Sequence, residues 1–110
     1  MLEQTHYLSE RQQKQFEVVC DKLGLNNRNI AYILNISNWY VGEILSKQKM
    51  SIRMHDLFST LIPFLVLTAN ENKQLTFRYL TSETLGEYRK RKKKQLKELK
   101  NSFMLYTKKL

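Results

Sequence analysis

Apolar side chains recur at three- and four-residue spacings behind residues suited to capping helices, and this periodicity constrains the chain more than any other feature. Ser9 with Gln12 forms a capping-box pattern, followed by Phe16, Val19, Cys20 and Leu23 up to a stop at Gly24, which predicts a helix over 10–23. Asn26 caps a second helix over 27–34, with Ile30, Ala31 and Leu34 facing inward. After a turn through Asn35 and Ile36, Ser37 caps a third over 38–46, which points Val41, Ile44 and Leu45 at the core. Ser51 caps a fourth that carries Met54, Leu57, Phe58 and Leu61. Pro63 lacks an amide hydrogen and clashes with the preceding turn, so it is expected to open a fifth helix at its first position. The stretch 75–80 fits helix and strand alike, and Thr84 with Glu87 makes another capping box at the start of the C-terminal segment. The expected core is Phe16, Val19, Ala31, Leu34, Val41, Ile44, Leu57 and Leu61.

Composition supports an all-α fold. Three glycines and one proline in 110 residues are too few for the tight turns of a sandwich or barrel, while 42% apolar residues suffice for a core. The reading is a compact domain of about five helices over 1–80, followed by a basic amphipathic helix or tail over 81–110. A single cysteine, Cys20, allows no internal disulfide and no paired zinc ligands, and suits a reducing cytoplasm. The N-terminus has no basic start with an apolar stretch behind it, and the apolar run 61–67 falls well short of the roughly 20 residues of a membrane span. The expectation is a cytoplasmic protein without a membrane span.

The net charge of +9 is concentrated at one end. Residues 1–87 carry nine basic and nine acidic groups, whereas 88–110 carry ten basic groups against Glu98 alone. Arg89, Lys90, Arg91, Lys92, Lys93 and Lys94 form an unbroken cationic run that is either frayed or held against negative charge. Nucleic acid is the partner such a tail favours, ahead of anionic lipid. Behind the run, Leu96, Leu99, Phe103, Tyr106 and Leu110 alternate at spacings of three and four, a seam equally suited to docking on the parent domain and to dimerisation.

With Ile30, Ala31, Leu34, Ile36, Val41, Ile44 and Leu45 buried, Ser37, Asn38, Trp39, Gly42, Glu43 and Ser46 face outward together. The small Ala31 suits a close crossing of two short helices. Over roughly residues 9–65 the sequence resembles the helix-turn-helix regulators of the phage repressor and Cro (Xre-like) type, including the loop 46–51 and the apolar helix behind it. The resemblance implies that Asn27 touches phosphate and that Ser37, Asn38, Trp39, Gly42, Glu43 and Ser46 contact bases or backbone. Arg28, Lys47 and Lys49 flank that face as phosphate contacts. The family's common turn glycine is replaced by Asn35, a residue that enters left-handed conformations more readily than most.

No enzyme motif is present. His6 and His55 stand far apart in sequence and belong to no metal-ligand spacing, and there is neither a phosphate-binding glycine loop nor a nucleophile elbow. No catalytic residue, metal or cofactor is therefore expected. The expected function is sequence-specific binding of double-stranded DNA by a homodimeric transcription regulator or repressor, with the helix 38–46 in the major groove. A phage, plasmid or other mobile element is suggested by 13 Lys, 8 Asn and 6 Ile against 2 Ala, a bias that fits an AT-rich genome. The alternatives are a protein-interaction module whose basic tail meets an acidic partner or an anionic surface, and a binder of structured RNA.

Overall fold

The computed structural model describes residues 6–47 and 49–109, with Lys47 described by its backbone alone. It is all-α, with helices α1 (Glu10–Leu23), α2 (Asn27–Leu34), α3 (Asn38–Lys47), α4 (Ile52–Glu71) and α5 (Leu85–Lys108). Local chemistry sets most of these ends. Ser9 Oγ accepts from Gln12 N at 3.1 Å while Gln12 Oε1 accepts from Ser9 N at 2.9 Å, closing the capping box of α1. Asn26 and Asn29 exchange the same pair of bonds at 3.0 Å, so the side-chain oxygen and backbone N–H of the buried Asn29 are met at the start of α2. Thr84 and Glu87 repeat the device at the start of α5.

Two left-handed residues stop the first two helices. Gly24 adopts φ 77°, and a Cβ there would lie 2.5 Å from Arg78 Cγ, so both conformation and space require glycine. Asn35 adopts φ 57° at the end of α2. The chain then turns into α3, where Ser37 Oγ accepts from Tyr40 N at 3.0 Å.

Pro63 does not open a helix: α4 runs through it without interruption. The ring is exposed, whereas Leu61, Ile62, Phe64 and Leu65 on either side are buried. An interior proline costs about 3 kcal/mol, while each of those apolar side chains contributes roughly 1.5 to 3 kcal/mol on burial, so packing prevails over the local break. The basic C-terminal helix is consequently the fifth helix of the chain. By length and composition α4 would also suffice to cross a membrane; here it turns Met54, Phe58, Leu61, Leu65 and Ala69 into the protein core.

The segment 75–80 is neither helix nor strand. Phe77 is buried and its N–H donates to Leu23 O at 2.7 Å, while Arg78 bonds the backbone carbonyl and carboxylate of Asp21. These bonds strap the loop between α4 and α5 to the end of α1. An antiparallel bridge joins His6 and Met50.

The core gathers α1 against α4, α2 against α3 and α5, and α5 against α4. Phe16, Val19, Ala31, Leu34, Val41, Ile44 and Leu61 are buried, and Leu57 packs half-buried at the edge. Leu99 and Phe103 belong to the same core, with Leu96 and Tyr106 half-buried beside them. The α5 seam is thus filled by the chain's own α2 and α4, and residues from 85 onward share the core of the preceding helices. Leu110, the last residue of the expected seam, lies outside the described residues.

Candidate nucleic-acid interface

Helices α2 and α3 pack against each other, and Ala31 on α2 is 5% exposed. Ile30, Val41 and Ile44 lie beneath them, and Ile36 packs half-buried in the turn, its N–H bonded to Ala31 O at 3.0 Å. With this side occupied, Ser37, Asn38, Trp39, Tyr40 and Ser46 are exposed, and Gly42 and Glu43 are half-exposed. Trp39 is 74% exposed, a large apolar cost to leave in water on a helix whose other aromatic, Tyr40, is also outside. Ser37 differs from its neighbours in that its hydroxyl oxygen is engaged as the cap of α3.

Asn27 and Arg28 are exposed in the first turn of α2, and Lys49 is exposed beyond α3. The Lys47 side chain lies outside what is described. Seen as chemistry, the unit offers amide and hydroxyl groups from Asn38 and Ser46 that can donate and accept, an indole that can pack on an apolar edge, and flanking cations. Such a set recognises a mixed donor and acceptor surface bordered by anions.

The cationic run is helical, and its members do different work. Arg89, Lys90, Lys93 and Lys94 are exposed, whereas Arg91 is turned inward. The Arg91 guanidinium donates to Glu83 Oε2 from Nε at 3.0 Å and to Glu83 Oε1 at 2.6 Å. It also donates to the carbonyls of Thr76 at 2.8 Å and Arg78 at 2.7 Å and to Gln95 Oε1 at 2.9 Å. An arginine has five N–H groups, and these bonds engage all of them. Arg91 therefore fastens the 76–83 loop to α5 and has no donor left for phosphate, in contrast to its place among the expected DNA contacts. The same bonds hold the Glu83 carboxyl below the usual range, chiefly through Arg91, and raise Arg91. The Thr84 cap bonds lower Glu87 likewise.

The remaining cations of α5 approach α2. Arg28, Asn29 and Tyr32 from α2 and Tyr88, Arg89, Lys92, Lys93 and Leu96 from α5 line an open groove of about 380 Å³. Lys100 Nζ sits 4.6 Å from the centroid of the Tyr32 ring, and Arg91 Cζ and Lys92 Nζ lie 5.5 and 5.6 Å from that of Tyr88. Sequence reading did not single out Tyr32, Tyr88 or Lys100. The available signal was the spacing of Arg89, Lys92, Lys93 and Leu96, which places them on one helical face.

No cluster of three or more His, Cys, Asp or Glu able to hold a metal occurs among the described residues. His6 and His55, remote in sequence, have ring centroids 5.6 Å apart through the bridge at Met50. Burial pushes the Cys20 thiol up to about 12, which leaves it protonated and a poor nucleophile. Compared with known proteins, the chain matches no family description, and it is similar to no curated protein and no solved structure.

Proposed function

We propose that the chain is a sequence-specific double-stranded DNA-binding protein, a transcription regulator of the phage repressor/Cro (Xre-like) kind that reads the major groove with α3. The observation that carries this reading is the α2–turn–α3 unit, in which the packing of α3 on α2 leaves Asn38, Trp39 and Ser46 exposed on one short helix, with Arg28 exposed on α2 and Lys49 exposed beyond α3. Helices of this size fit the major groove, where each base pair shows a distinct donor and acceptor pattern. Asn38 suits adenine N6 and N7 through one bidentate contact. A ten-residue reading helix reaches few base pairs, so the protein acts as a homodimer on two half-sites.

Selection from a random duplex pool tests this reading. A preferred sequence should emerge, and Asn38→Ala should weaken binding to it by about 10- to 100-fold, corresponding to roughly 1 to 3 kcal/mol, while binding to random duplex stays the same. Arg28→Ala should weaken both duplexes about equally. If no sequence is enriched, or if Asn38, Trp39 and Ser46 can all be changed to alanine without loss of preference, α3 does not read bases.

A further inference from the structure

We propose that the groove between α2 and α5 is a second contact for the same duplex, a phosphate-binding channel in which Arg28, Arg89, Lys92 and Lys93 hold the DNA backbone beside the segment that α3 reads. It rests on the DNA-binding reading and adds to it a place, a stoichiometry and a role for the C-terminal helix.

Charge is the first ground. Four cations from two different helices line one groove, and none of its lining residues is acidic. Arg89, Lys92 and Lys93 stand at i, i+3 and i+4, neighbours on a helix surface, where like charges repel. Burial of Leu99 and Phe103 and the Arg91 bonds to Glu83 hold the helix in place against this repulsion. The helix positions that carry the cations are thereby fixed, and an anion in the groove relieves their mutual repulsion.

The aromatic rings decide which anion. In sites for nucleotides or single strands, exposed rings serve as stacking platforms for bases. Here Tyr32 is approached by Lys100, and Tyr88 by Arg91 and Lys92, so the rings support cations. The walls of the groove are largely the apolar stems and rings of these residues, and its charge comes from Arg28, Arg89, Lys92 and Lys93; with cations already set against both rings, it suits the phosphates of a duplex whose bases are paired. From residue 89 to residue 93 the helix rises about 6 Å, and one strand of B-DNA presents about two phosphates over that length of its axis. Arg28 belongs both to this groove and to the first turn of α2, so the channel includes a residue of the helix-turn-helix itself.

The test compares two variants that lose the same charge from the same run. Lys92→Gln with Lys93→Gln empties the groove of two cations; Lys90→Gln with Lys94→Gln removes two exposed cations that do not line it. Helicity and melting temperature, measured on both, establish that each is folded. Binding to random-sequence duplex is measured against salt concentration, since each phosphate neutralised contributes about 0.9 to the slope of log K against log salt. The Lys92 and Lys93 variant should lose about 1.8 from the slope, and the Lys90 and Lys94 variant less than half as much. Equal losses in the two variants would make the run a diffuse charge cloud, and no loss in either would remove the groove from DNA; both overturn the proposal. Displacement of duplex by polyglutamate, with polyglutamate bound more tightly than DNA and released in the Lys92 and Lys93 variant, would assign the groove to an acidic protein and overturn it as well. Because random duplex is used, an idle groove leaves the Asn38 selection result untouched, and an α3 that reads no bases leaves the slope difference untouched. A wild-type chain that binds no duplex at all refutes both.

Discussion

Replacing Phe103 with alanine removes one of the two buried side chains of α5, the other being Leu99. Phe103 is 3% exposed, and its ring centroid lies 5.3 Å from that of Phe64 on α4. Phe64 in turn meets Tyr106 at the same separation, so the truncation opens a cavity beside the aromatic contacts that join α4 to α5. Buried Phe to Ala changes cost about 3 to 5 kcal/mol, against a total stability on the order of 5 to 15 kcal/mol for a domain. At about 4 °C or more per kcal/mol for a chain near this size, the melting temperature should fall by at least about 12 °C. Leu105→Ala is the control: Leu105 is on the same helix but 59% exposed, and its loss should stay within about 0.5 kcal/mol. Thermal and urea unfolding followed by circular dichroism measure both. If Phe103→Ala destabilises no more than Leu105→Ala, α5 is a loosely attached tail in solution, and the groove built from α2 and α5 has no fixed geometry.

Two further outcomes are expected. Ala31→Leu adds volume where α2 and α3 cross and should cost roughly 1 to 3 kcal/mol in urea unfolding; unchanged stability would mean the helices do not pack through that residue. Because Arg91 lowers the folded-state pKa of Glu83, the stability contributed by that carboxylate is fully present above the unfolded value of about 4.3 and is lost as pH falls through the lower folded one. Glu83→Gln should therefore have a shallower loss of stability than wild type below about pH 4, and superimposable acid limbs would show that the Arg91 bonds contribute nothing there.

What was legible in the sequence is what neighbouring residues settle among themselves. The bounds of α1 and α2 follow from the caps at Ser9 and Asn26 and the left-handed stops at Gly24 and Asn35, all interactions within a few residues. The outward set on α3 follows in the same way, because helical periodicity alone assigns Asn38, Trp39 and Ser46 to the side opposite Val41 and Ile44. Pro63 was misread since its local preference is to begin a helix, and only the burial of Leu61, Ile62, Phe64 and Leu65 against other helices carries α4 through it. The seam of α5 is by its sequence equally compatible with docking and dimerisation, and in the folded chain it packs on α2 and α4. Within the run 89–94 the sequence shows six equivalent cations. The folded chain separates them, turning Arg91 toward Glu83 and two backbone carbonyls and bringing Lys92 and Lys93 beside Arg28, because those partners come from segments that approach one another only once the core has formed.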